Sequence, residues 1–230
     1  MNNDTRTNRE YKDSVFTLLF SEKDKLIELC NAFLDTNYGP DTEVQITTLR
    51  NVLFMEQVND ISFVIDGKIV VLIEHQSTIN ENIPLRMLLY IARVYEKICE
   101  NKNLYRINRI DIARPEFIVA YNGKDEYPDE QVLKLSDMFA ECGEKNPIEL
   151  ELLVKVYNIN NGRNVHIAQK SRTLSEYEIF IDTVRRYKEE TNNLADAVTQ
   201  AVKECIDKNI LKTFLNNHGS EVTNMLLTEW

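Results

Sequence analysis

Two acidic residues and one amide stand at the ends of two neighbouring apolar runs. Asp60 precedes the run ISFVI, and Glu74 and Gln76 end the run that begins at Lys68. Two carboxylates about one strand apart can hold Mg²⁺ through their oxygens and leave positions for water and a phosphate. Such an ion polarises the phosphate and lowers the pKa of an attacking water, and Gln76 would orient that water or contact a phosphate oxygen. These residue types fit metal-dependent hydrolysis of a phosphodiester.

Asp66-Gly67 separates the two runs and predicts a hairpin, because Gly accepts the positive φ of a type I′ turn. In a regular hairpin around this turn, Asp60 lies opposite Ile73, one step from Glu74. Opposed residues share a face and neighbours alternate, so Asp60 and Glu74 then lie on opposite faces. A one-residue bulge would bring them to the same face. The spacing therefore permits a paired carboxylate site without requiring it.

Other interpretations of these residues stay open. Asp60 could enter its strand while hydrogen-bonding its own turn, and Glu74 and Gln76 could end a solvated strand. His75 faces away from Glu74 and is interpreted as a packing or hydrogen-bonding residue. Arg86 and Tyr90 are four residues apart on the following helix and share a face. They could hold a phosphate or support the site, or form an ordinary helix-surface pair.

The elements that position these residues alternate between helical and strand patterns. Residues 11–34 have the apolar spacing of one or two helices that Ser21 interrupts. Residues 83–100 form a helix with Pro84 in its first turn. Strand patterns, in chain order, are EVQITTL, NVLFMEQV, ISFVI, KIVVLIE, PEFIVAY, LELLVKVYNI and its short partner RNVHI. This order predicts an α/β fold, a mixed sheet flanked by helices.

From Ser175 onward the pattern is helical throughout. SEYE predicts a capping box with Ser175 as its first residue. Aromatic and aliphatic residues over 177–187 form a helical stripe that is interpreted as core or as an oligomer seam. LADAVTQAVKECI continues the helical pattern, and two shorter helices are expected around His218-Gly219. We place a boundary near residue 172 and expect the helices of 173–230 to form a homodimer.

Composition limits the classes of protein to consider. Of 230 residues, 43% are hydrophobic and 28% charged, as in an ordinary globular chain. A net charge of -10 speaks against a uniformly basic nucleic-acid-binding surface but not against a local basic patch. The four cysteines have no CxxC pair, which favours reduced thiols in a cytoplasmic protein. A polar beginning and the lack of a long apolar run predict neither a secretory signal nor a membrane span.

Several separated segments carry a family resemblance. The D…E-x-Q pattern resembles a PD-(D/E)xK nuclease core in which Gln replaces the usual Lys. The segments are NDISFVIDGKIVVLIEHQSTINENIPLRMLLYIARVYEKI, PEFIVAYNGK, LKLSDMF and VYNINNGRN. Together they resemble the Rpn family, recombination-promoting nucleases also described as putative transposases. The resemblance runs from about residue 11 to the end of the chain.

The resemblance implies a fold, an activity and a site. It implies a restriction-endonuclease-like domain over residues 1–172, followed by the helical region. The implied activity is Mg²⁺-dependent DNA endonuclease cleavage, with Mn²⁺ or Ca²⁺ as other candidate ions, linked to recombination or defence against foreign DNA. Asp60 matches the family's strand aspartate, Glu74 its second acid and Gln76 the position of its lysine. An acid on the first helix often completes the core, and Asp13 is preferred over Glu22 and Glu28.

Gln76 is the departure from the wider superfamily. A neutral amide supplies no positive charge to the developing phosphate and cannot act as a general base, so water activation falls on the metal or on Glu74. No helix-turn-helix or zinc module is evident, which predicts low sequence specificity. The missing lysine and the acidic charge favour one alternative, a catalytically weak or inactive nuclease fold that acts as an interaction protein. A phosphodiesterase acting on RNA or nucleotides is another, since the same site would serve.

Overall fold

The computed structural model describes residues 15–46, 60–75, 80–100, 104–105, 107–140 and 148–229. The strands are β1 Val44–Ile46, β2 Asp60–Ile65, β3 Lys68–His75, β4 Arg114–Tyr121, β5 Glu130–Lys134 and β6 Leu153–Asn158. The helices are α1 Val15–Leu19, α2 Lys23–Leu34, α3 Ile83–Cys99, α4 Val165–Ala168, α5 Arg172–Thr191, α6 Leu194–Asp207 and α7 Lys212–Glu229. A 3₁₀ helix covers Leu135–Met138.

The six strands form one mixed sheet in the order β1-β2-β3-β4-β6-β5. The pairs β3–β4 and β4–β6 are parallel, and the other three pairs are antiparallel. His75 pairs with Tyr121, and Tyr121 pairs with Asn158, so the three parallel strands end level with one another. With its flanking helices this sheet confirms the predicted α/β class.

The helix α3 covers one face of the sheet. Its side chains Met87, Tyr90, Ile91 and Val94 belong to one buried cluster with side chains from β3, β4 and β6, among them Ile69, Val71, Phe117, Val119, Val154 and Val156. Fully burying an aliphatic side chain of this size contributes about 1.5–3 kcal/mol. The odd-numbered positions of β3 and β4 therefore face α3, and the even-numbered positions occupy the opposite face.

The hairpin turn has the predicted geometry. Asp66 and Gly67 both have positive φ, 46° and 70°, as a type I′ turn requires. The turn joins β2 to β3 in the expected register, with Ile65 opposite Lys68 and Asp60 opposite Ile73. Here the two-residue signal and the apolar runs on both sides of it together determine the strand pairing.

The described residues divide into two compact units. One contains the sheet and α3, over 43–46 and the described part of 60–158. The other contains α1, α2 and the helices that follow Ile159. The assignment of 1–172 and 173–230 as functional domains stays a prediction.

The helical unit has its own core. The stripe on α5 (Tyr177, Phe180, Ile181 and Val184) is buried within the chain, so its interpretation as core is confirmed. Phe16 of α1 meets Tyr177 edge-on at 5.5 Å between ring centroids. The carboxylate of Glu28 accepts hydrogen bonds from the backbone N–H and the hydroxyl of Thr173, both at 2.9 Å, which joins α2 to the first turn of α5.

The predicted N-cap of α5, Ser175, is wrong by four residues. The helix begins at Arg172, and Ser171 is its N-cap, because the Ser171 hydroxyl accepts a 3.0 Å hydrogen bond from the Leu174 N–H. Ser175 lies inside the helix, where its own N–H donates to the Ser171 carbonyl. A capping-box pattern is thus present in the sequence but does not mark the helix terminus.

Two other sequence predictions need correction, and one strand was not predicted. RNVHI is not a strand: Asn164 has a φ of 39°, and the short helix α4 begins directly after it. The two shorter helices expected around His218-Gly219 form one helix, α7, which continues through both residues. The sequence analysis also missed β5, the edge strand whose side chains are mostly exposed.

Some predictions fall partly or wholly outside the described residues. Only 44–46 of the segment EVQITTL form a described strand, and NVLFMEQV lies outside the described part. Cys30, Cys99 and Cys205 form no disulfide with any residue that the structure describes, whereas Cys142 lies outside the described part.

Candidate functional site

The two candidate acids lie at one end of the β2–β3 hairpin. Asp60 is the first residue of β2, and Glu74 is the second-last residue of β3. The ladder between them is regular, with each residue from Asp60 to Ile65 opposite one residue from Ile73 to Lys68. The predicted register is therefore confirmed, and the described ladder contains no bulge over these residues.

This register assigns positions 60 and 74 to opposite faces of the sheet. Val71 packs on the α3 side, so position 73 shares that face, and position 60 shares it with its partner 73. Position 74 belongs to the opposite face. The side chains of Asp60, Glu74 and His75 lie outside the described part, as do Gln76 and Asp13 entirely. Their roles as ligands and catalytic groups stay predictions.

On its own face, position 74 belongs to a row that crosses four strands. Glu74 pairs with Ala120 on β4, Ala120 with Tyr157 on β6, and Tyr157 with Glu130 on β5. Ala120 is fully buried and Tyr157 is half-buried. Strands lie about 4.8 Å apart, so Tyr157 stands roughly 10 Å from position 74.

The edge where β3, β4 and β6 end is held by a network of buried polar groups. The Asn158 side-chain amide donates to the Tyr127 carbonyl at 2.9 Å, and the Asn158 N–H donates to the Asp129 carbonyl at 2.8 Å. The Tyr121 hydroxyl donates to the Asp125 carbonyl at 2.9 Å. These bonds fix the loop between β4 and β5 against the strand ends. This network was not predicted from the sequence, although two of its residues, Asn158 and Tyr121, are the last residues of the segments VYN and PEFIVAY.

The same loop brings two tyrosine rings together. The Tyr121 and Tyr127 rings lie 4.7 Å apart between centroids and are tilted by 40°. Burial, followed by the neighbouring Tyr121, raises the pKa of Tyr127 above its ordinary value. Gly123 is required here, because a Cβ at this position would clash with the Tyr121 ring and hydroxyl. The lack of a side chain at Gly123 therefore lets the backbone pass close to the Tyr121 ring.

The two α3 candidates differ in their surroundings. Tyr90 is fully buried in the core between α3 and the sheet, and Arg86 is half-buried one turn earlier. Tyr90 thus has a structural role in that core. A role of either residue in contacting a phosphate or supporting the site stays a prediction.

Two alternative first-helix acids have roles within the helical unit. Glu28 holds the first turn of α5, as described above, and Glu22 forms an exposed 2.7 Å ion pair with Lys25. In the described part of the chain, no group of three or more His, Cys, Asp or Glu side chains could hold a metal ion.

The sequence Arg185-Arg186-Tyr187-Lys188 on α5 is a small basic cluster of a kind that is more often a solvated helix face than a DNA clamp, and both of its arginines contact neighbouring groups. Arg185 donates to the Asn160 side chain at 2.6 Å. Arg186 and Lys208 each donate to the Glu204 carboxylate at 2.7 Å, and the Tyr187 hydroxyl donates to it at 2.6 Å. These hydrogen bonds from Lys208, Tyr187 and Arg186 lower the pKa of Glu204 to about 2. The cluster joins α5 to α6.

A family model matches the part of the chain that contains the hairpin. The model is described as a putative transposase, YhgA-like, and it matches residues 47–212, more than half of the chain. The chain belongs to this family. The family membership is consistent with the Rpn resemblance and indicates a transposase- or nuclease-like role.

Neither of the other two comparisons with known proteins finds a relative: no curated protein and no solved structure matches the chain. In the part of the chain that the structure describes, no helix is both long and apolar enough to cross a membrane.

Proposed function

We propose that this family member is a metal-dependent DNA endonuclease that hydrolyses phosphodiester bonds with low sequence specificity. Its context would be recombination or defence against foreign DNA, in the cytoplasm. The observation that carries the proposal is the position of Asp60 and Glu74. The two acids stand at the free end of a central hairpin inside the region that the transposase family model matches.

The donor set fits a hard divalent cation such as Mg²⁺, Mn²⁺ or Ca²⁺, since both residues supply carboxylate oxygens. When bound, such an ion would lower the pKa of an attacking water and neutralise charge on the phosphate. Glu74 would hold the ion and accept the proton of the water, and Gln76 would orient that water. Asp13 stays the candidate for an additional acid.

The register has a consequence for this proposal. Joint binding of one ion by Asp60 and Glu74 requires position 60 to leave the face that it shares with Ile73. Asp60 is the first residue of β2, so this change would disrupt only the last pair of the ladder. A bulge at that end would be sufficient, and bulges are common beside active sites. We therefore propose that metal binding is coupled to a local change at the start of β2.

The same register favours a second candidate. If positions 60 and 74 keep opposite faces, they cannot share an ion, and the chain would be a catalytically weak or inactive nuclease fold that acts as an interaction protein. A homodimer through the C-terminal helices belongs to this candidate and to the first one. The apolar positions of α6 (Ala197, Val198, Ala201 and Cys205) are buried within the chain, so a dimer would have to use other residues.

Incubation with supercoiled plasmid tests the leading proposal. Purified protein is supplied with Mg²⁺, Mn²⁺, Ca²⁺ or chelator, and nicked and linear forms are separated on a gel. Nicking that requires a divalent ion is the expected result. Parallel incubations with single-stranded DNA and RNA distinguish a DNA endonuclease from a phosphodiesterase acting on RNA. If none of these substrates is cut with any ion, the interaction protein is the better account.

A further inference from the structure

The sheet face that carries position 74 continues onto an open surface of β6 and β5. Val132 and Leu153 on this face are 48% and 50% exposed, whereas Ile118 and Ala120 on β4 are buried. The open part therefore begins at β6, one strand beyond Ala120.

The pairing of β5 with β6 determines which side chains lie on this open face. Tyr157 is opposite Glu130, Lys155 is opposite Val132, and Leu153 is opposite Lys134, so all six side chains share this face.

This surface is locally basic in a chain whose net charge is -10. Its cations are Lys134, Lys155 and Arg114, and its acids are Glu116 and Glu130. Glu116 is contacted by two of the cations, at 2.8 Å from Arg114 and 3.6 Å from Lys155. One carboxylate thus serves two cations, and Lys134 is exposed with no ion pair to any residue that the structure describes. The arrangement leaves positive charge available for an anion.

An aromatic ring lies between these cations and the proposed cleavage site. Tyr157 is two residues beyond Lys155 on β6 and on the same face, in the row that leads through Ala120 to Glu74. Burial, followed by Glu130 and Glu116, raises the pKa of Tyr157, so the phenol is neutral at physiological pH. Tyr157 is a neutral, partly exposed ring two residues from Lys155, with Glu130 opposite it on β5. An exposed aromatic ring near lysines is the combination with which proteins bind single-stranded nucleic acid, by stacking bases and contacting phosphates.

We propose that the open face of β6 and β5 binds one strand of DNA and leads it to Glu74. Lys134 and Lys155 contact backbone phosphates, and a base stacks on Tyr157, roughly 10 Å from position 74. Stacking on the ring requires an unpaired base, so the occupant is single-stranded DNA or a locally opened duplex. This inference rests on the proposed nuclease function, for which it supplies the path of the substrate.

Binding of a fluorescently labelled 20-nucleotide DNA strand tests the inference apart from cleavage. Anisotropy is measured in chelator at several salt concentrations for wild type and for the double variant Lys134→Gln/Lys155→Gln. Each lost phosphate contact lowers the slope of log affinity against log salt by about 0.7 for a single strand, so we expect a decrease of about 1.4. The control is Lys97→Gln/Lys203→Gln, which removes the same charge from exposed positions on α3 and α6 and should bind as wild type does.

Tyrosine variants test the stacking contact. Tyr157→Ala should weaken binding about tenfold, and Tyr157→Phe should bind nearly as wild type does, because it keeps the ring. Circular dichroism melting of each variant shows whether it is folded. If Phe and Ala weaken binding equally while both remain folded, stacking is not the contact.

The outcomes separate this inference from the proposed function. If the plasmid is cut but the lysine and control variants bind alike, the strand path is wrong and the nuclease stands. If the lysine variant alone loses binding and no DNA is cut under any ion, the strand path stands and the nuclease does not. Preferential binding of an RNA strand or of intact duplex, or no binding by wild type at low salt, would overturn the assignment of single-stranded DNA to this face.

Discussion

Asp60 lies directly opposite Ile73 across the β2–β3 hairpin, one residue short of Glu74 on the partner strand. This single register relationship decides how the candidate site can work. It keeps both acids at one end of the hairpin, and it assigns them to opposite faces of the sheet. A shared metal ion therefore requires a change at the first residue of β2, and the proposal predicts that metal and hairpin structure are coupled.

Metal binding should stabilise the fold through Glu74. At a concentration of about 100 times its Kd, an ion that binds only the folded chain adds about 2.7 kcal/mol to the unfolding free energy. For a chain of this length that corresponds to a rise in Tm of about 5–10 °C. Differential scanning calorimetry with and without Mg²⁺ measures it. The rise should vanish in Glu74→Gln and persist in Glu96→Gln, an exposed acid on α3. A Tm that ignores Mg²⁺ in wild type would contradict the metal site.

Ser171 should stabilise the chain more than Ser175 does. Removal of an N-cap hydroxyl costs about 1 kcal/mol, so Ser171→Ala should lower the unfolding free energy by roughly that amount. Ser175→Ala changes a position inside α5, where Ala has the higher helix propensity, and should be neutral or slightly stabilising. Urea denaturation of both variants makes the comparison. Equal losses would mean that the helix terminus has been assigned incorrectly.

Glu178 should make stability depend on pH. Burial raises its pKa to about 8, and the side chain makes no hydrogen bond or ion pair with the described residues. In the unfolded chain the pKa is about 4.3, so between these values the folded state holds a proton that the unfolded state has lost. The group therefore lowers the unfolding free energy as the pH rises from about 4.5 to about 8.

The variant Glu178→Gln isolates this effect, because it keeps the shape of the neutral acid. The variant and wild type should have similar unfolding free energies at pH 4. At pH 8.5 the variant should be more stable by roughly 5 kcal/mol. Urea denaturation at both pH values measures the difference. A difference that does not change with pH would show that Glu178 is not buried as a neutral acid.

Asn158 should be required for the order of the loop between β4 and β5. Asn158→Ala removes the donor to the Tyr127 carbonyl and leaves a partly buried acceptor unpaired, which costs about 1 kcal/mol. Asn161→Ala is the matched control, since its 3.2 Å hydrogen bond to Asp182 is exposed. Hydrogen exchange of residues 122–129 should accelerate only in Asn158→Ala. Unchanged hydrogen exchange of these residues would show that Asn158 is not required for the order of the loop.

The hairpin was predictable because two independent signals agree on it. Asp66-Gly67 specifies the turn, and the apolar residues on both sides specify strands, which together determine the register from Ile65 to Asp60. The edge strand β5 was not predictable in this way. Its side chains are mostly exposed, so the sequence EQVLK has no buried alternate face to produce a pattern.

Two of the wrong predictions concern helices, and in both the short sequence pattern did not determine the conformation of the segment. Gly219 costs about 1 kcal/mol relative to Ala inside a helix, yet α7 continues because it buries Phe214, Leu215, Val222 and Leu226 on both sides of that glycine. Conversely, RNVHI contains β-branched residues, but Asn164 takes a positive φ and α4 begins directly after it. Neither outcome can be read from a window of five residues.

The site was predictable only as positions along the chain. The acids and their pairing followed from the hairpin, whereas the row from Glu74 through Ala120 to Tyr157 depends on the parallel pairing of strands distant in sequence. Such pairing leaves no local signal. The lysines of β5 and β6 and the network around Asn158 emerged only with the sheet order.

The central claim is that Glu74 is the essential acid of a nuclease, and plasmid cleavage by matched variants tests it most directly. Wild type, Glu74→Gln and Glu96→Gln are purified identically and incubated with supercoiled plasmid and Mg²⁺. The account predicts nicking by wild type and Glu96→Gln at similar rates, and a loss of about 10²-fold or more in Glu74→Gln. Equal nicking by all three proteins would contradict it.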